Sequence, residues 1–229
     1  MKKAIFTLMF ALFGSMAIMA AQPKIWLLGD GTMEGWGKAF AERVGSALEV
    51  KNLSQAGLSV KVLDTMGGLD SVIVDKAKKD LLIVQLGQND LNETNVEAYS
   101  SLEAFTQDLV DLILAAKAKK MMVILCTPLA HPYYKEGVLV NRLGGYAEAV
   151  RRVAVSQDVP VIDLEALSRT WIEGLGEEGV QAHYVNLNTT ERPAGEYLLN
   201  ESGCQEVAHM AYNALLTIDN KKITKLFTK

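Results

Sequence analysis

The chain has 229 residues, with 23 Lys and Arg against 27 Asp and Glu. That acidic balance, without basic clusters, argues against nucleic acid as a partner. The length suits one domain with a large core rather than a repeat array.

The chain opens with Lys2 and Lys3 before an apolar run from Ala4 to Ala20, with small residues at Ala17, Ala20 and Ala21. A basic region, an apolar region and small residues at a cleavage point describe a secretory signal peptide over residues 1–21, cut near Ala20 or Ala21. A membrane anchor is the alternative, although the run is short for a span. No Cys follows to carry a lipid, and no later stretch is of membrane-spanning length. The expected mature part, 22–229, is a single domain in the periplasm or outside the cell, carrying 21 basic against 27 acidic residues. In an oxidising compartment Cys126 and Cys204 could pair, or remain as two buried thiols.

Four apolar runs, Ile25–Leu28, Leu81–Leu86, Met122–Cys126 and Val159–Ile162, alternate with helical patterns, and Leu48–Leu53 is a weaker fifth. Runs that are apolar throughout suit strands covered on both faces in a parallel sheet. The clearest helix spans about 101–118, where Leu102, Phe105, Leu109, Leu112 and Ile113 share a face, Ser100 with Glu103 resembles a capping box, and lysines close the far end. Further helices are predicted at 35–47, 145–156, 165–173 and 201–218. The alternation predicts a three-layer α/β/α sandwich. Residues 131–143 and 177–200 are the longest irregular stretches, and both should lie near the strands' C-terminal ends, where open α/β sheets bind ligands.

Three segments place Gly, Asn or Asp after a predicted strand. They are Gly29-Asp30-Gly31-Thr32, Asn52-Leu53-Ser54-Gln55-Ala56-Gly57-Leu58-Ser59, and Gly87-Gln88-Asn89-Asp90. Each alone is ordinary turn chemistry. Three on one sheet edge point to a shared site. A strand, a tight turn and a helix is also how α/β hydrolases lift a nucleophile above the sheet, yet Gly31 stands where that nucleophile is sought.

These residues resemble the SGNH (GDSL) hydrolases, most closely the rhamnogalacturonan acetylesterase type, over about residues 24–216. Members open with Gly-Asp-Ser-Thr-Met and then Gly-Trp-Gly; here Gly29-Asp30-Gly31-Thr32-Met33 and Gly35-Trp36-Gly37 stand in those places. Gly57 matches the second block and Gly87-Gln88-Asn89-Asp90 the third. Glu103-Ala104-Phe105, Thr127-Pro128 and Val161-Ile162-Asp163-Leu164 also look like this branch. The resemblance implies a parallel five-stranded sheet in flavodoxin-like order, no cofactor, and an acylated oligo- or polysaccharide of pectic type as ligand. The family's last block, Asp-x-x-His, precedes an Asn-x-x-Gly that opens the final helix. Counting back from Asn200-Glu201-Ser202-Gly203 puts Gly195 at the Asp and Leu198 at the His.

By that alignment Gly31, Gly195 and Leu198 replace the triad that would attack, orient and shuttle the proton. The oxyanion donors implied by the family remain: the N–H groups of Gly31 and Gly57 and the amide of Asn89. Asp30, Thr32, Gln88, His131 and His183 are the other residues expected to line the cleft. Thr32 has a hydroxyl, but adjacent side chains on a tight turn point in different directions. His131 and His183 are loop residues and candidate bases; His209 falls within the last helix. No two histidines lie at ligand spacing, so no metal is expected, and Gly-Asp-Gly-Thr lacks the Gly-Lys-Ser/Thr of a phosphate loop. Three functions fit: an inactive esterase fold that binds acylated carbohydrate, an active O-acetylesterase with a displaced base and unusual nucleophile, and a non-catalytic interaction module. The oligomeric state has no signature here.

Overall fold

The computed structural model describes residues 22–74, 79–185, 187 and 197–227; the signal segment and Gly195 lie outside them. In chain order the elements are β1 (Ile25–Gly29), α1 (Gly31–Val44), β2 (Val50–Asn52), α2 (Val60–Thr65), α3 (Leu69–Val72), β3 (Leu81–Gln85), α4 (Leu102–Ala118) and β4 (Met122–Cys126). There follow β5 (Tyr134–Lys135), β6 (Val138–Leu139), α5 (Tyr146–Ser156), β7 (Val161–Ile162), α6 (Leu164–Gly179), α7 (Glu201–Leu216) and α8 (Lys221–Phe227).

The five-stranded sheet has the order β2-β1-β3-β4-β7 and every pairing is parallel. Successive side chains leave opposite faces of a strand, so the apolar runs split between two cores. Trp26, Leu28, Leu82 and Val84 pack with α2, α4 and α5 on one side. Ile25, Leu27, Ile83 and Ile124 pack with α1 and α7 on the other, where Trp36, Phe40 and Tyr212 meet edge to face. This is the α/β/α sandwich expected from the alternation.

Register places the site. Gly29 pairs with Gln85 and Gln85 with Cys126, so β1, β3 and β4 end in one row. Whatever follows them shares one edge.

Several local expectations change. The first helix begins at Gly31, not Gly35, because Asp30 caps it by accepting the Thr32 N–H at 2.9 Å. Ser101, rather than Ser100, caps α4 by accepting the Ala104 N–H. Residues 131–143, read as irregular, contain the β5–β6 hairpin, which turns through Glu136 (φ 55°) and Gly137 (φ 77°). Two positive φ values in a two-residue turn match the twist of the flanking strands. The sixth helix runs on past Glu173 to Gly179, accommodating a non-helical Gly176 (φ 69°). The short helices α2 and α3 and the terminal α8 had no strong apolar period to announce them. Cys126 is buried in β4 and Cys204 half-buried on α7, and neither forms a disulfide.

Candidate functional site

A buried polar chain underlies the turn after β1. Asp30 Oδ1 accepts from the Thr32 N–H and hydroxyl, at 2.9 and 2.6 Å. Gln85 Nε2 donates to Thr32 Oγ1 at 3.1 Å, and Gln85 Oε1 accepts the Trp36 indole N–H at 2.8 Å. Thr32 therefore uses its hydroxyl inside the molecule. Asp30 Oδ2 has no hydrogen-bond partner among the described residues. Burial pushes the Asp30 carboxyl up to about 6 against the opposing effect of its Thr32 bonds.

Asp90 ties the other two loops together. One oxygen accepts the Val60 N–H and the other the Gly87 N–H, each at 2.9 Å. Burial again outweighs these donors, with the Asp30 charge adding to it, and raises its carboxyl to about 7. Ser59 beside it caps α2 through the Val62 N–H.

Above this framework the neighbours of the three expected donors touch: Gly31 lies beside Ala56, and Asn89 is bonded to Leu58. Gly57, at φ 80°, sits on a turn pinned by Ala56 N–H to Glu34 at 3.0 Å and Gln55 N–H to the Gly29 carbonyl at 3.0 Å. Asn89 uses one amide hydrogen on the Leu58 carbonyl at 2.9 Å; its amide has a second. The N–H groups of Gly31 and Gly57 have no hydrogen-bond partner among the described residues. Such donors can stabilise an oxyanion or hold a ground-state carbonyl oxygen.

The space where a nucleophile would stand is narrow and bordered by apolar groups. A Cβ at Gly31 would lie 3.3 Å from Ala56 Cα, 3.4 Å from Ala56 Cβ and 3.7 Å from Leu198 Cδ2. The segment carrying Leu198 pairs with the strand-like residues before it: Val185 N–H donates to the Leu198 carbonyl at 2.8 Å, and Asn200 N–H to the His183 carbonyl at 3.0 Å. Asn200 then caps α7. Leu198, 45% exposed, is thus an apolar cover beside Gly31.

The other expected lining residues separate. Asp30, Thr32 and Gln88 lie beneath the cleft rather than on its surface, each consumed by internal bonds. Gln88 Nε2 donates to the Leu129 carbonyl at 3.2 Å, which turns its Oε1 toward His131 Nε2. That network makes His131 Nε2 the donor and leaves Nδ1 as an acceptor, without a partner among the described residues. His131 is 2% exposed and stacks on Tyr197 at 4.5 Å. Burial, reinforced by the Arg142 charge, pulls it down to about 3, so it is neutral at ordinary pH. His183 faces elsewhere: its Nδ1 is 2.9 Å from Ser202 Oγ and its ring meets Trp171 edge-on at 5.0 Å. His209 lies on the exposed side of α7 between Arg43 and Asn213. Among the described residues no group of His, Cys, Asp or Glu is arranged to hold a metal, and no helix is long and apolar enough to cross a membrane.

Sequence reasoning missed Gln85, Tyr197 and Arg142. Gln85 did carry a signal, as the single polar residue ending an otherwise apolar strand.

A sequence model of the GDSL-like lipase/acylhydrolase family matches residues 21–193. The rhamnogalacturonan acetylesterase RhgT of Bacillus subtilis is 26% identical over 204 residues, covering 82% of this chain and 87% of its own. A second protein of that organism, YesY, described as a probable rhamnogalacturonan acetylesterase, is 29% identical over 171 residues, covering 70% and 79%. Among solved structures, B. subtilis YxiM superposes with a TM-score of 0.72 at 24% identity, over 85% of this chain but 56% of its own length. The acetyl xylan esterase AlAXEase superposes at 0.62 with 18% identity, over 84% and 99%. The match over most of the described sheet and its three loops makes this chain a member of the GDSL-like lipase/acylhydrolase family.

Proposed function

We propose that this is a secreted esterase-fold protein that holds an acylated saccharide of pectic type and does not hydrolyse it. The carrying observation is the apolar border of the space over Gly31. Acyl transfer needs a nucleophile there and a base within hydrogen-bond reach, but Ala56 and Leu198 border that space and both are apolar. The Thr32 hydroxyl is bound to Asp30 and Gln85, and His131 is directed to Gln88. The N–H groups of Gly31 and Gly57, without a partner among the described residues, and the Asn89 amide suit the carbonyl oxygen of an intact ester. The pectic ligand class rests on the relatives named as rhamnogalacturonan acetylesterases.

The reading is tested by acetyl release from acetylated pectin and from an aryl acetate, alongside thermal shift with acetylated pectic oligosaccharides. Expected are no release above buffer and a melting temperature that rises with ligand by mass action. Rapid release that disappears in Asn89→Ala overturns the inactive reading.

A second reading, an active O-acetylesterase with displaced groups, draws support from the Ser202 hydroxyl 2.9 Å from His183. Acetyl release abolished in both Ser202→Ala and His183→Ala would establish it.

A further inference from the structure

The arm that follows β4 carries a cationic group the acyl site does not use. Tyr133 N–H donates to the His131 carbonyl and Val140 N–H to the Tyr133 carbonyl, both at 2.8 Å, so the β5–β6 hairpin closes on Tyr133 at its base. Just beyond, Arg142 lies across the Tyr133 ring, its guanidinium carbon 4.7 Å from the centroid. Its Nη1 donates to Tyr197 Oη at 3.3 Å. Tyr197 covers His131, whose buried Nδ1 lacks a partner among the described residues.

This cluster joins the acyl site along two paths. Tyr197 precedes Leu198, which covers Gly31. His131 is bonded to Gln88, which precedes Asn89. Arg142 also differs from the other paired arginines. Arg151 is spent on Asp163 and Glu165, and Arg169 on Glu165. No carboxylate among the described residues forms an ion pair with Arg142. In an acidic protein, a guanidinium stacked on one tyrosine, bonded to a second and lacking a carboxylate among the described residues is prepared for an anion from outside. The fork of donors fits a carboxylate with two parallel bonds. Tyr133 beside it is 38% exposed.

We propose that Arg142, braced by Tyr133 and Tyr197, is a specificity-determining residue that pairs with the carboxylate of an acidic sugar unit. This rests on the reading that the saccharide's acyl group lies against Gly31, Gly57 and Asn89. Arg142 then selects a uronate-containing ligand over a neutral acetylated one.

Titration calorimetry with an O-acetylated oligogalacturonide of two to four units, its methyl ester and O-acetylated xylotriose tests this. The acid form is expected to bind at least tenfold tighter than the methyl ester, with an advantage that shrinks as salt is raised. Arg142→Gln should reduce that preference to less than twofold and leave the methyl ester's affinity within twofold, which also shows that the variant is folded. Asn89→Ala should weaken the acid and the ester alike. Equal binding of acid and methyl ester by the unaltered protein, or a tenfold preference surviving in Arg142→Gln, overturns the role of Arg142 while leaving the acyl site standing. Failure to bind any of the three compounds overturns both. Should Arg142→Gln not fold, the acid-to-ester ratio of the unaltered protein and its salt dependence still decide.

Discussion

The two sides of the cleft meet over Gly31 but are built in different ways. On one side, the loops after β1, β2 and β3 are fastened by buried side chains: Asp30 to Thr32, Gln85 to Thr32 and Trp36, Asp90 to Val60 and Gly87. On the other, the segment around Leu198 is held by backbone pairing and by Asn200, and Leu198 itself is half in solvent. The first side cannot change without damage to the fold. The second can exchange a side chain at little cost. On the proposed reading Leu198 stands at a triad histidine's position, and a residue that contributes to chemistry and little to stability is free to change there. The same contrast applies to the donors: Asn89 and the Gly57 turn also fasten the framework, Asn89 through the Leu58 carbonyl and the turn through Glu34 and the Gly29 carbonyl.

The sharpest test of this contrast is to cut the framework on one side and trim the cover on the other. Asp90→Ala leaves the Val60 and Gly87 N–H groups buried without their acceptor. At roughly 1–3 kcal/mol for each unmet group, a loss of about 3 kcal/mol is expected in urea unfolding. Leu198→Ala, at an exposed position, should stay within about 0.5 kcal/mol. Similar losses in the two variants would dissolve the distinction.

A smaller effect separates the two sides by the sign of their pH dependence. Asp30 and Asp90 have folded values raised to about 6 and about 7 by burial. The folded state then binds protons that the unfolded state does not, so their stabilisation is present in acid and is lost as pH rises through about 6 and 7. His131 is lowered from 6.5 to about 3 by burial. It works the other way: its stabilisation is complete above pH 6.5 and is lost as pH falls below that toward 3. His131→Gln keeps a donor for Gln88 and removes the titration. Between pH 7 and 5 its melting temperature is expected to rise relative to that of the unaltered protein. Parallel melting curves across that window would show that His131 titrates alike in the folded and unfolded states, overturning its burial as a neutral imidazole.

How much of this could be read beforehand follows from which forces act locally. The strands were legible because burial on both faces leaves an unbroken apolar run, and α4 because its apolar face repeats at helical spacing. The loops carrying Gly31, Gly57 and Asn89 were legible as punctuation at strand ends. What was not legible depended on distant partners. Nothing near Asp90 says that its two oxygens will bond Val60, 30 positions earlier, and Gly87. Nothing near His131 announces Tyr197, which reaches it only after the chain has passed through β7 and α6. Arg142 reads in sequence as one more surface charge; its place between two tyrosines is a product of the hairpin that precedes it.

The smallest structural change tests the largest functional claim. Gly31→Ser adds a Cβ that would sit 3.3–3.4 Å from Ala56. Contacts that tight ask Ala56 to move by a few tenths of an ångström, at a cost of about 1 kcal/mol. The serine gains no base, because Leu198 occupies the nearby position and triad members act as a unit. Acetyl release by Gly31→Ser should therefore stay at the level of the unaltered protein. Adding Leu198→His places an imidazole where the Leu198 side chain now approaches Gly31, and release of acetate from an aryl ester should rise in that double variant alone. Equal release by the single and double variants would mean that position 198 does not serve Gly31. The alignment that reads Leu198 as the lost histidine would then fail, and the catalytic base would have to be sought at His131 or His183.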